Sequence, residues 1–153
     1  YFLFATEIPH PRTCLTIEIT EGVMMDKRPE TMDVICAVRE LGVGLSMDDF
    51  GTGFSCLSRL AHLPMTELKI DQSVMRDLRE GSKMKAIATT VVRIGQSLHQ
   101  TVVAEGVETE QQRNELRELQ CDIAQGYLYS RALNASALAG WVKNRPRSEI
   151  VLE

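Results

Sequence analysis

The stretch "VGLSMDDFGTGFS", residues 43–55, is the one whose reading decides the fold. It opens as an apolar strand and closes on two adjacent aspartates, Asp48 and Asp49, followed within four residues by Gly51 and Gly53. Ionised carboxylates are almost never buried without a partner. If the pair is exposed, the glycines make an ordinary surface turn. If it sits in a cleft, something positive has to hold the two charges together.

Working outward from this strand, short apolar runs alternate with helical patterns. "CLTIEIT" (14–20) reads as a strand, and residues 28–42 read as a helix with Pro29 near its start and Gly42 just past its end. "MTELKID" (65–71), "TVVAEGV" (101–107) and "CDIAQGYLY" (121–129) complete five strands. An apolar stripe at helical spacing runs through 83–99. Thr109 and Gln112 form a capping box before "EQQRNELREL", and "NASALAGWVKN" (134–144) supplies a last helix. Such alternation implies a parallel sheet, because parallel strands need long crossovers.

Chemically active side chains fall at the end of every strand. The first contributes Glu18 and, one step into the loop, Glu21; the second contributes Asp48 and Asp49. Lys69 and Asp71 end the third, Glu105 the fourth and Gln125 the fifth. The lead residues are spaced 30, 21, 36 and 20 apart, each interval long enough for a strand, loop and helix. An open doubly wound sheet gathers ligands at its switch point, whereas a closed parallel barrel brings all C-terminal strand ends to one mouth. Polar groups in phase on five strands favour a TIM-like (β/α) barrel. A full barrel takes about 250 residues and about eight strands. The expected fold is therefore α/β, the C-terminal five βα units of a barrel over residues 1–144, with a tail at 145–153. Such an open sheet exposes an edge and apolar surface. We expect it to need its missing strands, or a second copy, for solubility.

Composition narrows the function. The 153 residues are 44% hydrophobic and 25% charged with a net charge of -4, which argues against a nucleic-acid polymer as partner. No run of about 18 apolar residues occurs to span a membrane. The four cysteines show neither CxxC pairing nor metal-type spacing and read as reduced thiols in a cytoplasmic protein. There is no GxxxxGK[ST] loop, no GxGxxG after a strand and no serine nucleophile elbow. Each polar residue taken singly has a plain reading as a cap, a turn or a solvated loop residue; the phase shared by all five strands sets them apart.

Glu18, Asp48, Asp49 and Glu105 face only Lys69 as a counter-charge, so four carboxylates at one mouth could not all stay ionised unaided. Oxygen-rich acidic sites bind hard divalent cations such as Mg2+ or Mn2+. Asp48 could bridge two ions with Asp49 on one of them. A metal pair about 3.5–4 Å apart would stabilise the attacking and leaving oxygens of phosphodiester hydrolysis.

"TIEITE", "DDFGTGFS", "LKID", "VAEGVET" and "QGY", in this order, resemble the EAL family of bacterial phosphodiesterases, which hydrolyse cyclic di-GMP to linear pGpG. The resemblance covers nearly the whole chain. It implies a modified TIM barrel, with Glu18 and Asp48 as metal ligands and Asp49 as a ligand of the second ion. Lys69 resembles the lysine that contacts the reacting water or phosphate, Glu105 the general base or water-mediated metal partner, and Gln125 the glutamine near the active-site water. Glu21 is similar to the residue that anchors the "DDFGTG" loop, which Gly51 and Gly53 let fold tightly and which in the family supports dimer contacts. Cys56 stands where the family often has Ser.

The naming Glu-Ala-Leu triplet and a strand-end asparagine are absent and would lie upstream of Tyr1, so the expectation is a segment of a longer parent, inactive or nearly so alone. The competing expectation is an EAL-type sensor or interaction module that binds the nucleotide without cleaving it.

Overall fold

The structure is a computed structural model that describes residues 15–20, 22–23, 28–50 and 60–144. The expected 145–153 tail, Glu21, Gly51 and Gly53 lie outside the described residues. Five parallel strands form one sheet in the order β1-β2-β3-β4-β5: β1 Thr16–Ile19, β2 Gly44–Phe50, β3 Glu67–Ile70, β4 Thr101–Ala104 and β5 Ile123–Ala124. Spatial order follows chain order without a reversal. A doubly wound sheet would reverse at its switch point, so this is part of an α/β barrel.

Helix α1, Pro29–Glu40, has Pro at its first turn, and Gly42 at φ 82 takes the left-handed position just beyond its C-cap. The short α2, Gln72–Met75, is capped by Asp71, which accepts from Ser73 N at 2.9 Å. Helix α3, Lys83–Leu98, starts on Ser82, whose side chain accepts from Lys85 N at 3.0 Å. The predicted capping box opens α4, Glu110–Glu118: Thr109 accepts from Gln112 N, and Gln112 Oε1 accepts from Thr109 N. Helix α5 is Ala135–Asn144, with Asn134 accepting from Ala137 N at 2.9 Å.

The strands are shorter than their sequence pattern predicts, and the last is much shorter. "CDIAQGYLY" yields a strand only at Ile123–Ala124. The chain turns over immediately afterwards, with Tyr129 and Ser130 N–H groups both donating to Gly126 O. Gly126 packs directly on its neighbour, for a Cβ there would stand 2.2 Å from Val107 O. Apolar residues after Gly126 therefore serve a turn, which periodicity alone does not separate from a buried strand.

Residues paired in register across parallel strands point to the same face, and successive residues alternate. One face carries Leu45, Met47, Leu68, Ile70, Val102 and Ala104, which belong to one buried cluster with Ile35 of α1, Ala88, Val91 and Val92 of α3 and Leu116 of α4. The opposite face carries Glu18, Ser46, Glu67, Lys69, Val103 and Ile123. Both sheet edges expose apolar side chains, Leu15 and Ile17 beside β1 and Ile123 on β5. That agrees with the apolar edges expected of a partial barrel.

Candidate metal centre and active site

Register places the candidate residues before any side chain is considered. Glu18 pairs with Ser46, Ser46 with Glu67, and Lys69 with Val103. Asp48 lies two residues beyond Ser46, Glu105 two beyond Val103 and Gln125 two beyond Ile123, so all five candidates share one parity at the C-terminal ends of the strands. Strand alternation is the reason the acidic and basic groups meet there and the apolar ones lie beneath the helices.

Asp49 breaks that alternation. Met47 pairs with Leu68, yet the next pair is Phe50 with Ile70, so β2 carries one residue more than β3 over this interval. The extra residue is accommodated as a bulge, with Asp49 at φ 57. Aspartate is among the few non-glycine residues that enter the left-handed region at modest cost. The doubled aspartate is thus a backbone device: a regular strand would send the two carboxylates to opposite faces, and the bulge releases Asp49 from that rule.

Lys69 is the hub. Its side chain is only 6% exposed, and its ammonium lies 2.6 Å from Glu18 Oε1, 2.6 Å from Glu105 Oε1 and 3.3 Å from Asp48 Oδ1. The first two distances are those of strong charge-assisted bonds. Burial pushes the ammonium down, but the bonds to Glu105 and Glu18, and the nearby Asp48, outweigh that and leave it well above the usual lysine range. Lysine is therefore firmly charged here.

Asp49 and Asp71 form a second pair beside the first. The neighbouring Asp48 charge, then burial and the Asp71 carboxylate, hold the Asp49 carboxyl above its usual range against the opposing pull of Lys69. Burial pushes Asp71 upward, but hydrogen bonds from Ser73 and the Gln72 backbone, and one shared with Asp49, hold it below the usual range. Asp71 was visible at a strand end but had no role assigned to it. Its contact with Asp49 depends on the bulge, which no residue pattern announces.

Gln125 is fixed by its backbone, donating to Ala104 O at 2.8 Å and accepting from Val107 N at 3.0 Å. The residue is exposed. Glu18, Asp48, Lys69 and Glu105 are thus brought together, Asp49 joins them through Asp48, and Gln125 shares their parity at the strand ends.

Glu18 and Asp48 offer hard carboxylate oxygens at one end of the sheet, the donor chemistry that suits a divalent cation. Asp48 Oδ1 is a buried oxygen whose contact with the Lys69 ammonium, at 3.3 Å, is long for a charge-assisted bond and leaves its lone pairs available to a second cation. Ser46 Oγ, on the same face two residues below, is buried without a hydrogen-bond partner. The carboxylates around Lys69 outnumber it, and hard oxygen ligands suit Mg2+ or Mn2+. Among the described residues the acidic trio whose oxygens all lie within 4.8 Å of one another is elsewhere, at Glu80, Glu115 and Glu118, and there the Lys85 ammonium binds all three.

The EAL domain family model matches residues 3–132. The chain is 49% identical over 130 residues to the oxygen sensor protein DosP of Escherichia coli (strain K12), covering 85% of this chain and 16% of that protein. It is 44% identical over 129 residues to the cyclic di-GMP phosphodiesterase NbdA of Pseudomonas aeruginosa, covering 84% of this chain and 16% of that protein. The chain thus spans about a sixth of the length of these relatives. Among solved structures, the PaMucR phosphodiesterase in complex with c-di-GMP superposes with a TM-score of 0.78 at 39% identity, covering 84% of this chain and 52% of that one. Klebsiella pneumoniae BlrP1 in a manganese/cy-diGMP complex gives 0.73 at 35% identity, covering 80% and 31%. Strand order, the shared face of the acidic residues and these likenesses agree: the chain belongs to the EAL domain family.

Proposed function

We propose that this chain is the C-terminal part of a phosphodiesterase domain that hydrolyses cyclic di-GMP to linear pGpG. One observation carries the reading: Glu18, Asp48 and Glu105 gather on a buried, charged Lys69 at the C-terminal ends of adjacent parallel strands. The relatives named for this activity or holding this nucleotide support it.

In this reading Glu18 and Asp48 would hold Mg2+ or Mn2+, and Asp49 would hold a second ion. When bound, two such ions stabilise charge on the attacking and leaving oxygens of an in-line displacement. Lys69 supplies a fixed positive charge to the phosphate that approaches this acidic floor. Glu105, beside Lys69, accepts the proton of the attacking water as its oxygen bonds to phosphorus and one bridging P–O bond breaks, the departing ribose oxygen taking a proton from solvent to become a hydroxyl. Gln125 on the rim orients the phosphate or the water. The bulge is the specificity of the arrangement, because it sets two carboxylates of one strand at the mouth.

The domain belongs to a longer, multidomain parent and works as a homodimer through the loop after Asp49. Its missing strands cover the apolar edges at Leu15, Ile17 and Ile123. The test is pGpG formation by the parent with and without Mg2+ or Mn2+, alongside Asp48→Asn. Metal-dependent product lost in the variant supports the reading. Tight nucleotide binding with no turnover, under every metal, overturns it in favour of a sensor.

A further inference from the structure

Two lysines in this molecule sit among three carboxylates, and the two settings differ in a way that bears on metal loading. Lys85 meets Glu80, Glu115 and Glu118, whose oxygens are close enough to share one cation, and it is that cation. Lys69 meets Glu18, Asp48 and Glu105, but here Asp48 Oδ1 stays buried at 3.3 Å without a well-formed bond, and Asp49 and Asp71 add further negative charge alongside. One ammonium fills the first cluster and only partly fills the second.

The burial order is also informative. The lysine side chain is 6% exposed, against 55% for Glu18, 25% for Asp48 and 22% for Glu105. The ammonium is the most deeply buried of the four groups, Asp48 and Glu105 are partly exposed, and Glu18 stands on the edge strand β1. Glu18 Oε1, at 2.6 Å from Nζ, cannot give the same lone pair to an ion about 2.0–2.1 Å away. Two cations sharing one carboxylate pair also repel each other. The lysine has an alternative, for Glu105 holds it at 2.6 Å and is not in the proposed ligand set. A flexible four-carbon stem with three rotatable donors permits that shift.

We propose that Lys69 is a resident placeholder cation: it holds Glu18 and Asp48 apart and in position in the metal-free protein, and releases them when a divalent ion binds, keeping Glu105. Metal loading is then a cation exchange within one preformed site. The inference rests on Glu18 and Asp48 being the ligands, as proposed above.

The test is Mn2+ binding by calorimetry, without nucleotide, on the parent protein and its Lys69→Met and Lys69→Arg variants. Removing a competing charge predicts that Lys69→Met binds Mn2+ about tenfold tighter or more, the equivalent of about 1.4 kcal/mol. The metal-free variant melts lower than wild type and gains more on adding Mn2+; Lys69→Arg stays near wild type. Equal or weaker binding by Lys69→Met overturns the proposal. Deleting a buried charge can cost the fold, so a second measurement uses wild type alone. The Lys69 side-chain 15Nζ resonance shifts and exchanges faster as Mg2+ saturates the protein; a resonance unmoved at saturation overturns the exchange. No binding of either ion to wild type at millimolar concentration removes the metal site itself, a different and recognisable failure.

Discussion

Asp49 follows Asp48 across a bulge that gives β2 one residue more than β3 between the pairs Met47–Leu68 and Phe50–Ile70. The extra residue lets Asp49 leave the strand's alternation at φ 57, where the Asp71 carboxylate, one residue past the end of β3, adds to the negative charge that holds the Asp49 proton. Backbone geometry and acidity are linked here, since the same bulge that builds a ligand pair also crowds negative charge.

That crowding has a pH consequence in the metal-free protein. The folded state holds the Asp49 carboxyl above its unfolded value, first through Asp48, so it binds its proton more tightly than the unfolded chain does. The resulting contribution is present below the unfolded value and is lost as pH rises through the folded one. Asp49→Asn removes this loss and tolerates the left-handed backbone. In EDTA at neutral pH the variant should melt higher than wild type by a small margin, about 1–2 °C after solvent screening. Added Mn2+ should reverse the ranking. Melting curves against pH check this, and a variant that melts lower in EDTA contradicts it.

The approach of α3 to the sheet predicts a second effect. Gly95 leaves no room for a side chain, since a Cβ there would fall 2.2 Å from Val102 Cγ2 and 3.3 Å from Gln100 O. Helix propensity alone favours alanine by about 1 kcal/mol. Overpacking costs about 1–3 kcal/mol and wins. Gly95→Ala should lower Tm by several degrees, and adding Val102→Ala should recover part of the loss. Thermal denaturation of both variants decides it; a stabilised single variant would show that the helix simply shifts outward.

How much of this was legible in the residues divides along physical lines. Strand-end chemistry was readable because Glu18, Asp48, Lys69, Glu105 and Gln125 recur at intervals of a full βα unit, and parity then sends them to one face. The capping box at Thr109 and Gln112 was readable because its chemistry is local. The bulge was not, because "DD" before a glycine looks the same in a strand and in a loop. The extent of β5 was not, because Tyr127 to Tyr129 have strand-like composition but turn back on Gly126. Nor was the burial of Lys69, since a lysine between apolar neighbours reads equally well as a surface residue snorkelling outward.

The same turn at β5 yields a third prediction. Gly126 lies against the backbone of Val107, with a Cβ placed 2.2 Å from Val107 O and 2.3 Å from Val107 N, so alanine cannot be relieved by a rotamer change. Gly126→Ala should push the turn, and Gln125 with it, off the rim. Misplacement of about 1 Å costs about a hundredfold in rate. If the proposed function holds, the kcat of cyclic di-GMP hydrolysis by the parent protein should fall by that order with the protein still folded by circular dichroism. An unchanged kcat would take Gln125 out of the site.

The central claim is that Asp48, Glu18 and their neighbours make a metal-dependent phosphodiesterase centre. Its most direct test follows cyclic di-GMP with the parent protein in EDTA, Mg2+ and Mn2+, beside Asp48→Asn under the same conditions. The account predicts conversion to pGpG only with metal, and a loss of at least about a hundredfold in the variant, the scale of removing one charge-stabilising group from a reacting centre. Hydrolysis that persists in EDTA, or survives Asp48→Asn undiminished, would contradict it.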